Sequence, residues 1–191
     1  MLISKIINIL RTFFCSFFYK NYGRNSVIQN PKCLIRGRKN IYIGKNVFIR
    51  CYARIETIKS YEGQIYYPEL RIGDGVNIEQ SLHLICSNKV LIGDNVVISS
   101  NVFISDCNHI MTDLKVPILK QGLERKETII GRSTFIGTGA IIMPGVCIGE
   151  HCVIGANSVV THNIADYSIA VGIPAVVIKQ YNFVTNKWEH V

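Results

Sequence analysis

Aliphatic residues recur at every sixth position over the last third of the repeat region: Ile130, Ile136, Ile142, Ile148, Ile154 and Val160 follow one another without a miss. The same step appears earlier in three shorter blocks, at Ile43, Ile49 and Ile55, at Ile72, Ile78 and Leu84, and at Ile92, Ile98 and Ile104. A six-residue period matches neither an α-helix nor a simple amphipathic strand. It suits a coil of short flat strands, each pointing one aliphatic side chain inward before a turn, repeated as a solenoid. Gly131, Gly137, Gly149 and Gly155 directly follow hexad aliphatics, and Gly73-Asp74 and Gly93-Asp94 do the same earlier. These are types that tolerate the left-handed backbone of a tight corner. The position four beyond the aliphatic is small or medium, as at Ala53, Val76, Thr134, Ala140, Cys152 and Ser158, which a narrow interior demands.

Ahead of the repeat the period is different. Apolar residues at 2, 3, 6, 7, 9, 10, 13, 14, 17 and 18 keep the three-and-four spacing of one helical face and end at Gly23, which predicts an amphipathic helix over 1–24. Lys5, Asn8 and Arg11 break the run short of a membrane span, and no small-residue cleavage site follows Phe18, so neither a transmembrane helix nor a secretory signal is expected. Two stretches interrupt the coils: 58–70, with Tyr61, Tyr66 and Tyr67, and a protruding loop over 105–128. The expected organisation is therefore a helix over 1–24, a solenoid domain over 25–181 and a tail over 182–191. The tyrosine rings suit stacking on sugars or packing between subunits.

The 191 residues are 48% apolar and 18% charged, a composition for one compact domain rather than a disordered chain. The net charge of +8 is uneven: 1–55 hold eleven basic and no acidic residues, while 56–191 hold ten basic and thirteen acidic. A basic end beside an apolar helical stripe predicts peripheral contact of residues 1–22 with an anionic membrane, and packing on the protein or a neighbouring subunit is the competing expectation. Nucleic acid is not expected as a partner, because no aromatic stacking platform or helix-turn-helix accompanies the basic residues. Seven cysteines without a C-x-x-C pair indicate neither a disulfide framework nor a zinc knuckle, which fits a cytoplasmic protein, peripheral at the inner face of the membrane.

The stretch IIGRSTFIGTGAIIMPGVCIGEHCVIGANSVVTHNIADYSIAVGIPAVVIKQY, with its closing Gly172-x-Pro174-Ala175 turn, resembles the hexapeptide-repeat acyltransferases, and in particular their sugar and polysaccharide O-acetyltransferases. The resemblance covers roughly 27–181. It implies an all-β, left-handed parallel β-helix solenoid, acetyl-CoA as co-substrate, no metal, and a homotrimer with the CoA groove between subunits. It also implies a catalytic histidine on the protruding loop, here His109; such a ring must be held in one tautomer, for which Asp106, Asn108 or a backbone carbonyl is the candidate. Histidine suits the role because imidazole accepts and returns protons near neutral pH. By the same resemblance Phe135, Thr138, Ala140, Ala156, Thr161 and Lys179 are the expected CoA contacts, and Glu79, Ser81 and His83 the expected acceptor contacts. Three positions depart from the family pattern: Phe135 stands for Trp, His162 for Lys, and Val176 for Arg or Lys, which leaves Lys179, Arg132 or Lys187 to meet the CoA phosphates.

The implied reaction is O-acetylation of a sugar hydroxyl in a surface polysaccharide or its lipid-linked precursor. The alternatives are acetylation of a small molecule (a free sugar, serine or an antibiotic) and a catalytically silent scaffold. The zinc-dependent γ-type carbonic anhydrases, which share the solenoid, need a close histidine pair plus a third, and His83, His109, His151, His162 and His190 contain no such pair.

Overall fold

The computed structural model describes residues 13–29 and 32–191. The hexads become strands of three parallel sheets, which the chain visits in strict rotation. The first sheet stacks Asn21–Tyr22, Ile41–Ile43, Glu69–Ile72, Lys89–Ile92, Thr128–Ile130 and Cys147–Ile148. The second begins with Val27–Ile28, Phe48–Ile49, Asn77–Ile78, Val97–Ile98, Phe135–Ile136 and Val153–Ile154. The third contains Leu34–Arg36, Arg54–Thr57, His83–Cys86, Phe103–Ser105, Ile141–Ile142 and Val159–Val160.

The register aligns the aliphatics into one inward column per sheet. Ile43, Ile72, Ile92, Ile130 and Ile148 pair in order down the first. Ile49, Ile78, Ile98, Ile136 and Ile154 do so in the second, and Ile55, Leu84, Ile104, Ile142 and Val160 in the third. None of these fifteen is more than 2% exposed. The small residues four positions on fill the corners of the same core and are equally buried.

The corners differ from the sequence expectation in one respect. The glycines directly after the aliphatics are not the left-handed residues; those stand two positions further on, at Gly75, Asn95, Ser133, Gly139, His151 and Asn157. The glycine is required instead by close approach to the next coil. A Cβ on Gly73 would lie 2.4 Å from Asp94 Oδ1, the oxygen that accepts a 2.7 Å hydrogen bond from the Asp74 backbone N–H. The Gly-Asp pair thus works between coils: the aspartate of one caps the corner of the coil before it, over a glycine that leaves it room.

Both ends of the solenoid also depart from expectation. The helix over 1–24 falls partly outside the described residues; those described contain one helical turn at 13–16, and Asn21–Tyr22 is already a strand paired with Ile41–Ile43. Tyr19 and Tyr22 turn inward to close the core, and Gly23 is a coil corner pressed against the Gly44 carbonyl rather than a helix stop. At the other end, 182–191 is not a free tail. Ser168–Gly172 and Ala175–Asn182 form an antiparallel pair that extends the second sheet, and Lys187–His190 adds a further antiparallel strand.

Candidate active site

Both interruptions leave the same edge, the one between the third and first sheets, separated by the single tight corner Ser87–Asn88. Each folds back as an antiparallel ribbon: Ser60–Tyr61 with Gln64–Ile65, and Cys107–His109 with Leu123–Arg125. A ribbon leaving a solenoid gives up the coil's ladder bonds and must be closed at its neck. Thr128 Oγ1 donates to the Ser105 carbonyl at 2.9 Å, and the Lys126 N–H to the Asp106 carbonyl at 2.8 Å, so the coil resumes in register beneath the excursion.

The two ribbons then pack on each other. Tyr66, Cys107 and Leu123 form a small buried cluster with Ile58, Tyr61 and Ile85 around it. Tyr61 Oη donates to the Leu119 carbonyl at 2.7 Å, Lys120 pairs with Glu62 at 3.3 Å, and the Arg125 guanidinium lies 4.5 Å from the centre of the Tyr66 ring. Tyr66 is therefore neither a sugar platform nor a subunit contact; it glues one loop to the other. Tyr67, at 86% exposed, remains open to either role.

His109 ends the ascending strand of the longer ribbon. Its ring sits 5.3 Å from that of Tyr61, at 57°, and Nδ1 is shielded from water with no hydrogen-bond partner among the described residues. Asp106 does not orient this ring. Its carboxylate is fully buried and is taken up by the intervening corner, accepting from the Ser87 N–H at 2.8 Å, Ser87 Oγ at 3.2 Å and the Asn88 N–H at 2.7 Å. The catalytic expectation for Asp106 is thus corrected: an aspartate three residues from a histidine looks like its partner in sequence, but the strand between them turns the two side chains to different neighbours. Nearby, burial first and the Asp106 charge second push the Cys86 thiol far above its ordinary range, so it stays neutral. Asn108 is exposed on the ribbon.

The expected cofactor residues fall on two faces. Across the third sheet, His83, Phe103, Ile141 and Val159 form one outward column in register. Thr138 and Ala156, both exposed, lie at one edge of that face, and exposed Thr161 at the other, the edge from which the His109 ribbon rises. Phe135 and Lys179 belong to the second sheet, in a column with Val153 and Ile169. Ala140 is corrected outright: it is 0% exposed, a core corner residue whose side chain no ligand can reach. Arg132 is held by Glu150, whose carboxyl is drawn down to about 2 by that guanidinium and by the Tyr167 hydroxyl; this leaves Lys179 and Lys187 as the freer cations for phosphate.

Of the expected acceptor residues, Glu79 is bound to Arg50 at 2.7 Å and Ser81 is a left-handed corner residue. His83 lies against Phe103, ring centres 5.2 Å apart, with Nε2 buried and without a hydrogen-bond partner among the described residues; burial and then the Arg54 charge lower its pKa, which favours the neutral imidazole. Among the described residues no three His, Cys, Asp or Glu side chains are grouped as metal ligands, and no helix is long and apolar enough to cross a membrane.

Residues 127–162 match the family model described as bacterial transferase hexapeptide (six repeats). A protein of Escherichia coli K12 named for lipopolysaccharide biosynthesis O-acetyl transfer is 32% identical, over 90% of this chain and 86% of its own length. A galactoside O-acetyltransferase of Lactococcus lactis is 33% identical over 85% of this chain and 74% of its own. Among solved structures, an N-acyltransferase from Bacillus cereus, crystallised with dTDP and 3-hydroxybutyryl-CoA, superposes with a TM-score of 0.75 at 22% identity, covering 92% of this chain and 90% of that one. A six-residue repeat that builds three inward columns, a ribbon carrying a histidine at one edge, and relatives matched over most of their length agree: this chain belongs to the bacterial transferase hexapeptide family, in its branch of sugar and polysaccharide acyltransferases.

Proposed function

We propose that this chain transfers an acetyl group from acetyl-CoA to a sugar hydroxyl, in a surface polysaccharide or its lipid-linked precursor, with His109 as general base. The observation that carries this reading is the seat of His109, raised on a braced ribbon at the edge of an apolar face. The column Phe103, Ile141 and Val159 fits the aliphatic part of a pantetheine arm, and Thr138, Ala156 and Thr161 flank it with small side chains and coil backbone. Phe135 and Lys179 face outward from the neighbouring sheet, and join such a groove where a second copy packs alongside. A homotrimer with left-handed coils supplies that packing, and the exposed apolar tip of the longer ribbon, Met111, Leu114 and Leu119, suits contact with a neighbour.

A bound thioester supplies an acyl group that is already activated, so no covalent enzyme intermediate is needed. With Nδ1 of His109 closed off, Nε2 meets the acceptor. It takes the hydroxyl proton as the oxygen attacks the acetyl carbonyl, and gives it to the departing sulfur. A backbone N–H on the coil surface serves the developing oxyanion, a contribution of about 3–4 kcal/mol in comparable sites. The direct test is CoA release by the purified protein with acetyl-CoA and an acceptor panel. Release driven by glycans or their lipid-linked forms supports the reading; release driven only by serine or an antibiotic overturns its acceptor.

Tyr61 is the residue that positions His109, since its ring touches the imidazole and its hydroxyl anchors the far side of the ribbon. Tyr61→Leu is expected to lower kcat about tenfold with little change in KM for acetyl-CoA, because misplacing a base costs rate rather than binding. Tyr61→Phe, which keeps the ring, should restore most of it. A fall in kcat accompanied by a comparable rise in KM would point to general loosening of the ribbon instead.

The N-terminal segment brings the enzyme to its acceptor at an anionic membrane surface, at the cytoplasmic face. Phe13, Phe14, Phe17 and Phe18 are each more than half exposed, within the first 55 residues, which hold eleven basic and no acidic side chains. Deleting 1–18, which leaves Tyr19 and Tyr22 to close the core, is expected to reduce liposome binding while leaving acetyl-CoA affinity near the full-length value; equal liposome binding would remove the membrane role.

A further inference from the structure

We propose that the cavity between the N-terminal turn and the first coils is a site for the phosphate of an anionic lipid headgroup, with the exposed phenylalanines beside it entering the acyl boundary. This rests on the membrane reading above and deepens it, from a charged region to a defined site.

The cavity, of about 480 Å³ and broadly open to solvent, is lined by Phe18, Ile35, Gly37, Asn40 and three cations, Arg38, Lys39 and Lys59. None of the three cations is ion-paired among the described residues, whereas the carboxylate of this region, Glu56, already holds both Arg36 and Arg54. The Arg38 guanidinium lies 5.8 Å from the centre of the Tyr19 ring, and its Nε has no hydrogen-bond partner among the described residues, a cost that an anionic oxygen at the guanidinium would offset.

The cationic and apolar parts are mechanically one unit. Lys39 Nζ donates to the Phe17 carbonyl, and the Lys20 N–H to the carbonyls of Arg38 and Ile41, so the turn bearing the phenylalanines is tied to the cavity wall. Phe18 belongs to both: it lines the cavity and is 56% exposed, with Phe13, Phe14 and Phe17 at 58%, 62% and 58%. Four large apolar rings held in water next to unpaired cations are complementary to a surface with phosphates above an acyl layer, which a free anion would not explain.

The test uses the full chain and sedimentation with vesicles of phosphatidylcholine alone or mixed with phosphatidylglycerol. Wild type is expected to bind the mixed vesicles. The triple variant Arg38→Gln, Lys39→Gln, Lys59→Gln should lose about a hundredfold in affinity, at roughly fivefold per cation near the lipid surface. A control triple in the same head but outside the cavity, Arg24→Gln, Lys32→Gln, Lys45→Gln, should lose tenfold or less. Unchanged thermal unfolding and unchanged turnover of a soluble sugar in both triples establish that each is folded. Equal losses from the two triples overturn the site in favour of diffuse attraction and leave the membrane reading standing. Failure of wild type to bind the mixed vesicles overturns both. If wild type ignores vesicles but is stabilised against heat by inorganic phosphate, and the first triple is not, the cavity takes a free anion and the lipid assignment is wrong.

Discussion

His109→Ala is expected to lower kcat/KM for acetyl transfer by about a thousandfold, within the 10²–10⁴ that a positioned general base contributes, while moving Tm by about 2 °C or less. The two halves of this expectation have separate causes. On the catalytic side, imidazole is the group whose proton affinity suits both removal of a sugar hydroxyl proton and its delivery to a thiolate, and no other titratable side chain in contact with the ring could take over. On the structural side, His109 is only half-buried and Nδ1 makes no hydrogen bond among the described residues, so its loss leaves no donor or acceptor orphaned. Steady-state CoA release and a melting curve on the same preparation decide the matter. Turnover within about threefold of wild type would end the general-base role, whatever the fold.

Asp106→Asn inverts that pattern. Its carboxylate accepts from two backbone N–H groups and one hydroxyl at a fully buried corner, and the amide, isosteric but carrying its own donors, turns an acceptor into a clash of donors. Unsatisfied buried donors cost about 1–3 kcal/mol each, so a loss on the order of 4 kcal/mol is expected, or a fall in Tm of about 10 °C for a chain of this size. Activity should follow stability and recover below the new transition. A variant with unchanged Tm but a lower kcat would mean that Asp106 acts on the histidine after all. The comparison between the two variants is informative because the residues are three apart in sequence, Asp106 at the bend before the strand that ends in His109, yet one is expected to govern rate and the other stability.

Much of this was legible from spacing. Ile130 to Val160 in unbroken hexads means one inward side chain per strand, and the small residues four positions later mean a narrow corner; both are local requirements, repeated at every coil, so each repeat states them again. The ribbon was legible as the longest break in the pattern, and so was the presence of a histidine on it. What spacing could not convey was partnership between coils. The pairing of Tyr61 with His109, 48 positions apart, depends on two ribbons leaving the same edge on either side of the Ser87–Asn88 corner. Asp106 reads as a companion of His109 only while the chain is a line; once strands alternate their faces, it looks into the corner. The Gly-Asp corners carry the same lesson: glycine was expected for its dihedral freedom, and is needed because the next coil's aspartate sits on it.

The sequence by itself determined the repeat, the family, the rise of a histidine-bearing loop and the concentration of positive charge in the first 55 residues, because each is written in one-dimensional period, motif or count. Only the tertiary structure decided which side chains meet. It buried Ala140, closed the ends with Tyr19 and Tyr22 at one and an antiparallel hairpin at the other, braced His109 with Tyr61, and set three cations without an ion pair among the described residues beside four exposed phenylalanines. The physical reason is that a solenoid's contacts run perpendicular to its chain: strand period is local, but register between coils and the packing of excursions arise only when one coil lies on the next.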